Sequence, residues 1–190
     1  MSSDMRWRII TLQVVLVVVL GIGAGALFFS ASFVTGMIHD QLVAQKIYFP
    51  PSSEIKPGGA LDPAEYSQAA RNYAGQQVDN GDKAKVYAND FIGVHLGEIA
   101  GGQTYSQVSA KAQANPTNLA LAAQANTLFR GETLRALLLN AWGWWQVGIY
   151  AFIVGIVLAV AALVVLGALV YELAVAPRGA REKAPARELA

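Results

Sequence analysis

Two long apolar segments constrain the fold of this chain more than any other feature. Residues 9 to 38 and 136 to 171 contain no Asp, Glu, Lys or Arg. An α-helix needs about 20 apolar residues to cross a hydrocarbon core of about 30 Å, and both segments are longer than that. The sequence therefore predicts two transmembrane helices, one near each end of the chain.

The four tryptophans lie at the edges of these segments. Trp7 precedes the first segment, and Trp142, Trp144 and Trp145 lie at the start of the second. Amphipathic indole rings prefer the headgroup level of a bilayer. We therefore interpret these four residues as membrane-interface residues, with the lipid bilayer as their partner.

A cleavable signal peptide is the alternative interpretation of the first segment, because Ser30 to Ser32 resembles a small-residue cleavage site. A cleavable apolar core usually has about 7 to 15 residues, and the uncharged run from Ile9 to Phe29 is longer. The length favours a retained anchor. A signal peptide would instead leave a mature chain that starts near Phe33.

Composition excludes several classes of protein. The net charge is only +1 and the mean hydropathy is positive, so the sequence lacks the basic surface of a nucleic-acid binder. The chain has no cysteine, which removes disulfides, thiolate metal ligands and cysteine nucleophiles. We expect no nucleic-acid partner and no covalent crosslinks.

Flanking charges predict the orientation. Six basic residues lie at the ends of the two segments that face away from the central region: Arg6, Arg8, Arg178, Arg181, Lys183 and Arg187. Lys46, Arg130 and Arg135 flank the segments on the central side, but long loops translocate largely regardless of charge. We predict a multi-pass plasma-membrane protein with both termini cytoplasmic and its central domain extracytoplasmic.

The predicted fold class is an all-α membrane protein, in which two transmembrane helices flank a small extracytoplasmic helical bundle. Its predicted parts are a cytoplasmic amino terminus (1–8), transmembrane helix 1 (9–36), an extracytoplasmic domain (37–140) with an extended connector (47–61), transmembrane helix 2 (141–171) and a basic cytoplasmic tail (172–190). The second apolar segment is too long for the bilayer alone, so we expect its first turns to belong to the external domain.

Local signals predict four helices between the spans, and strand signals are nearly absent. The predicted helices run from an Asp62 cap to about Gln77, from Asn80 or Asp82 to Gly101, from about Thr104 to Ala114, and onward from near Pro116.

Small residues in the spans predict helix contacts. Gly21 and Gly25 form a GxxxG pair, and a second stripe contains Gly148, Gly155, Ala159 and Ala162. Small residues let helices approach closely where lipid gives no hydrophobic drive for association. The two stripes are predicted to pack on one another or on a partner. The alternative is that glycine is simply common in membrane helices.

Catalytic patterns are scarce. His95 and Glu98 share a predicted helix face, but two ligands do not make a metal site. His39 fits an interfacial polar position. We therefore predict no catalytic residue, no metal and no cofactor. Arg130 and Arg135 are candidates for contact with lipid headgroups or a partner, although Arg135 is also spaced to pair with Glu132.

Several stretches of the chain carry a resemblance: Tyr87 to Ile92, His95–Leu96, Ile99 to Gly102, Thr104 to Ser109, and Phe129 to Arg135. In these stretches the chain resembles two-span integral membrane proteins of actinobacteria whose function is not settled. Some of those proteins are labelled as aromatic ring-opening dioxygenases. Two distant histidines without matching carboxylates do not form the iron-binding set that such chemistry needs. The resemblance implies an envelope protein and supplies no catalytic residues.

Three functions follow from these observations. The first is a non-catalytic interaction protein, an accessory or structural subunit of a plasma-membrane or cell-envelope complex, or a homo-oligomer. The second is a sensory or ligand-binding ectodomain, which would need a separate cytoplasmic partner because only 19 residues follow Tyr171. The third is an envelope-modifying enzyme.

Overall fold

The computed structural model describes residues 3–174 and is 80% helical. Those residues contain no β-strand, although an isolated antiparallel bridge joins Tyr48 and Gln77. The all-α prediction is therefore confirmed for the described part of the chain. The basic residues predicted for the cytoplasmic tail, from Arg178 onward, lie outside the described residues.

Among the described residues, two helices are long and apolar enough to cross a membrane. The elements are α1 (Ser3–Gln45), a 3₁₀ turn (Ser52–Glu54), α2 (Gln68–Asn72), α3 (Gly81–Val86), a π-helical segment (Tyr87–Ile92), α4 (Gly93–Ala100), α5 (Tyr105–Ala114) and α6 (Leu119–Ala174). The second apolar segment is part of α6, which has 56 residues. A helix needs only about 20 residues to cross a bilayer.

The chain divides into two compact units. The first, Met1–Ser32 with Ile149–Ala190, contains most of the apolar length of α1 and α6, and we call it the span unit. The second is Phe33–Gly148, which we call the central unit. These units are defined by contacts within the chain and not by the position of a bilayer. The membrane boundaries that the sequence predicts at 36/37 and 140/141 therefore remain predictions.

In the span unit, α1 and α6 pack antiparallel. The Phe28 and Phe152 rings lie 5.5 Å apart, and near the other ends of the helices the Arg6 Nε atom lies 3.6 Å from the Glu172 carboxylate. Buried residues are spaced by seven or by twice seven: Ile10, Ala24 and Ala31 on α1, and Gly155, Ala162 and Leu169 on α6. A seven-residue spacing is typical of helices that pack along a left-handed seam.

The helix ends in the central unit follow local capping chemistry. The Asn80 side chain accepts from the Lys83 N–H, Thr104 forms a reciprocal capping box with Gln107, and Gly101 ends α4 in the left-handed conformation. The predicted helices from Asn80 and Thr104 are thus confirmed. The next helix begins at Leu119, where the Asn118 side chain accepts from the Leu121 N–H, rather than at Pro116.

The predicted helix from Asp62 to Gln77 is wrong. The Asp62 carbonyl accepts from the Glu65 and Tyr66 N–H groups in a single turn, and Ser67 then adopts an extended conformation. The Ser67 hydroxyl accepts from the Ala70 N–H and donates to Asp90. The Asp90 carboxylate therefore holds Ser67 in place as the N-cap of the short α2. The turn that begins at Asp62 does not continue into a longer helix.

An aromatic cluster fills the core of the central unit. The Phe49 ring contacts Tyr73 and Tyr87, and Phe91 contacts Tyr87 and Tyr66, with ring centroids 4.9 to 5.6 Å apart. Phe49 and Leu61 come from the predicted connector 47–61 and are almost completely buried. The connector therefore supplies core side chains and contains a 3₁₀ turn, in addition to joining α1 to α2.

Gly81, the first residue of α3, lies directly against Trp145 of α6. A Cβ atom at position 81 would overlap the Trp145 Cβ and Cγ atoms. Glycine is therefore required sterically at this contact. Asp82, the next residue, accepts a 3.2 Å hydrogen bond from Gln146.

We predict that Gly81→Ala destabilises the full chain by about 1 to 3 kcal/mol, because overpacking displaces the Trp145 side chain. The midpoint of thermal unfolding in detergent, followed by tryptophan fluorescence, measures the effect. Gly97→Ala in α4 is the matched control, since no described atom lies within 4 Å of its added Cβ apart from local backbone. The control gains helix propensity and is expected to raise the midpoint. Equal midpoints for the two variants would contradict the close contact.

Candidate interaction surfaces

Two glycines of the span unit make close helix contacts: Gly155, which the sequence predicts as a packing residue, and Gly23, which it does not. A Cβ atom at Gly155 would lie 2.8 Å from the Phe28 ring, and one at Gly23 would lie 3.2 Å from the Leu158 side chain. Gly155 is buried. The stripe on α6 therefore includes a residue whose lack of a side chain lets α1 approach.

Gly21 and Gly25 are placed differently. Both are exposed, and within the described chain no atom other than local backbone lies within 4 Å of a Cβ built at either position. The GxxxG pair thus lies beside the seam with α6 and does not form it. The sequence motif alone gives no indication of which neighbour it serves.

An open apolar groove of about 430 Å³ runs along this side of the span unit, and we call it the glycine groove. Gly21, Gly25 and Phe28 line it from α1, while Ala159 and Ala162 line it from α6. Ala162 is buried and Ala159 is half-buried. Gly148, the remaining predicted packing residue, is buried in the central unit.

Polar groups lie at the end of the span unit that contains the amino terminus of α1. The Arg6 guanidinium donates a 2.7 Å hydrogen bond to the Glu172 carbonyl oxygen, in addition to its ion pair with the same residue. The Gln13 Oε1 atom is buried and has no hydrogen-bond partner among the described residues. Arg8 is exposed beside Trp7 and Thr11.

The four tryptophans fall into two groups. Trp7 and Trp144 are exposed, at 66% and 50% of their surface. Trp142 lies under the Lys85 ammonium group at 4.5 Å, and Trp145 packs against Gly81. Trp142 and Trp145 therefore make contacts within the protein, which their interpretation as membrane-interface residues does not predict.

The two candidate contact arginines also differ. Arg130 is exposed and pairs with no described residue. The Arg135 Nη1 atom donates to both carboxylate oxygens of Glu132, at 2.9 and 3.1 Å. Its Nε atom donates to the Ala88 carbonyl oxygen at 3.0 Å, and its Nη2 atom donates to Asn89 at 3.3 Å. The Arg135 guanidinium therefore binds acceptors within the protein.

The π-helical segment explains why Ala88 accepts this bond. The Ala88 carbonyl also accepts from the Gly93 N–H, five residues further along the chain. One wide turn thus receives a hydrogen bond from α6 through Arg135, while Asp90 in the same turn accepts from Ser67. Such π turns are often associated with functional sites. In this chain the turn anchors two distant segments.

Ionisable groups in the described chain do not assemble into a reactive set. The His95 Nδ1 atom lies 3.7 Å from Glu98, both side chains are exposed, and residues 3–174 contain no group of three potential metal ligands. Burial raises the pKa of Tyr66, with Glu98 and Glu65 adding to the effect, and burial raises the pKa of Tyr87. Both phenols stay protonated at neutral pH.

The loop before α2 holds a carboxylate in its charged form. Hydrogen bonds from the Ala64 and Gly58 N–H groups lower the pKa of Asp62. Both partners are local backbone groups, so the charge organises a turn.

A cleft of about 290 Å³ in the central unit was not predicted from the sequence. It lies between the end of α1 and residues 134–141 of α6, and we call it the amide cleft. Its lining combines apolar side chains with three amides: Ile38, Leu42, Ile47, Leu134, Leu137, Leu138 and Ala141, with Gln41, Gln45 and Asn140. Gln41 and Gln45 are four residues apart on α1, a spacing that places them on one helix face.

No family model, curated protein or solved structure matches the chain. A proposal for the function therefore depends on the glycine groove and the other surfaces described above.

We predict that Arg135→Ala destabilises the protein by about 1 to 3 kcal/mol, since it leaves the buried Ala88 carbonyl without one of its partners and removes the bonds to Asn89 and Glu132. Arg130→Ala is the matched control and should change stability by less than about 0.5 kcal/mol, because this exposed residue has no partner in the described chain. Chemical unfolding of both variants in detergent measures the difference. Similar losses would show that Arg135 does not anchor the π turn.

Proposed function

We propose that this chain is a non-catalytic integral membrane interaction protein, an accessory or structural subunit of a plasma-membrane or cell-envelope complex. The observation that carries the proposal is the glycine groove, in which Gly21 and Gly25 stand open beside a completed pair of helices. In lipid, close backbone approach and van der Waals packing drive helix association. A further membrane helix, from another protein or from a second copy, fits this groove.

Exposure of the long helices supports membrane insertion. Only 11% of the most apolar window of α1 and 17% of that of α6 are buried within the chain. The core helix of a water-soluble protein would be mostly covered. The large apolar side chains of these helices would otherwise face water, and extended apolar patches of that kind are typical of membrane or protein contact surfaces.

The proposed topology places both termini in the cytoplasm and the central unit outside. Arg6 and Arg8 at the amino-terminal end of α1 support it through the positive-inside rule. The length of α1, 43 residues, supports a retained anchor in preference to a short signal core.

Cysteine labelling tests this topology without background, because the chain contains no cysteine. Lys56→Cys, at an exposed position of the central unit, should react with a membrane-impermeant maleimide in intact cells. A cysteine appended after Ala190 should react only after the cells are lysed. Labelling of both variants after lysis is the control for reactivity. The reverse pattern in intact cells would contradict the proposed orientation.

Site-specific photo-crosslinking tests the proposed helix contact. A photoreactive amino acid at Val18, seven residues before Gly25 and on the same helix face, should give a discrete adduct in native membranes. The neighbouring Val19 faces away and should not, although both valines are exposed, at 52% and 60%. An adduct of twice the chain mass identifies a second copy, and any other discrete mass identifies a different partner.

Gly25→Leu should remove the Val18 adduct, because the leucine side chain fills the groove and keeps the partner helix away. Gly167→Leu is the matched control: it makes the same change at an exposed span position that does not line the groove. The proposal fails if Val18 gives no discrete adduct, if Val19 gives the same adduct, or if both leucine variants behave alike.

A further inference from the structure

We propose that the amide cleft binds the acyl chain and ester region of a glycerolipid. The inference rests on the membrane location in the proposed function, and it is independent of the partner helix at the glycine groove. The acyl chain would lie against Leu134 and Leu137, the exposed apolar side chains of the lining. The lipid ester carbonyls would accept hydrogen bonds from the amides of Gln41, Gln45 and Asn140.

The cleft has an uncharged lining, which suits the neutral acyl chain and ester region of a lipid. Within residues 3–174, no charged side chain lines the cleft. A phosphate headgroup or a charged peptide would find no opposite charge there. The side-chain amides are neutral and supply N–H donors, which match the neutral ester carbonyls that join each acyl chain to glycerol.

The three amides lack partners of their own. The side chains of Gln41, Gln45 and Asn140 are exposed, and they make no hydrogen bond with any residue in the described part of the chain. An occupant that covers these amides removes their water, which costs free energy unless the occupant itself accepts hydrogen bonds from them. A bound ester would satisfy these groups while its chain covers Leu134 and Leu137, which are 39% and 65% exposed.

The volume and the sequence position agree with this occupant. The cleft holds about 290 Å³, near the lower end of ligand pockets and too little for a helix of about 10 Å diameter. Ile38 ends the first apolar segment, and Leu137 to Ala141 immediately precede the tryptophan-rich edge of the second. Ester groups lie in the interfacial layer where tryptophan is enriched.

Photolabelling of the full chain in phosphatidylcholine vesicles tests the inference. The vesicles contain a trace of phosphatidylcholine with a diazirine in one acyl chain, and mass spectrometry maps the adducts. We expect adducts on residues 38–47 and 134–141 to be enriched over those on exposed span residues such as Val157 and Val160. Leu137→Trp, which fills the cleft from an exposed position, should remove this enrichment, whereas Leu119→Trp should preserve it.

Removal of the amides provides a second measurement that does not add bulk. Gln41→Leu and Gln45→Leu should each lower labelling of the cleft about two- to tenfold, the effect of one neutral hydrogen bond, while labelling of the spans stays unchanged. Cleft adducts that are not enriched, or that persist unchanged in the cleft variants, overturn the lipid site alone. An absence of adducts on the spans as well would overturn the membrane location and hence the proposed function.

Discussion

The antiparallel contact between α1 and α6 is the interaction on which the rest of the structure depends. It joins Phe28 to Phe152 and Arg6 to Glu172, residues that are far apart in the sequence. The chain between Phe28 and Phe152 must therefore form a closed loop. Gly155 lets the Phe28 ring approach the α6 backbone, since any side chain at that position would meet the ring. The contact thus depends on a missing side chain as much as on buried apolar groups.

Elements whose signals are local could be predicted from the sequence. Thr104 and Gln107 cap α5 reciprocally, and Gly101 ends α4 because glycine tolerates the left-handed conformation. The start of α2 could not be predicted, because Ser67 depends on Asp90, which is 23 residues away. The π turn is similar: its Ala88 carbonyl accepts from Arg135, which is 47 residues away.

The same limit applies to the candidate surfaces. Spacing identified Gly21, Gly25 and Gly155 together as packing residues, but it gave no reason to separate them. In the folded chain Gly155 is used internally, whereas Gly21 and Gly25 stay open. The two arginines show the same division: Arg135 is engaged by four acceptor atoms, and Arg130 is exposed. A short motif specifies the chemistry of a contact, while the identity of its neighbour depends on distant parts of the chain.

The two concave surfaces differ in their linings, and each lining would suit a different kind of occupant. The glycine groove presents backbone and small apolar groups from both long helices. It would therefore suit an occupant that packs closely over several turns. The amide cleft is smaller and has three exposed amides, without partners in the described chain, beside leucine side chains. It would therefore suit an occupant with both an alkyl chain and hydrogen-bond acceptors. A transmembrane helix offers few free acceptors because its backbone carbonyls are paired internally. A glycerolipid offers ester carbonyls next to its acyl chains, and these two features match the cleft together.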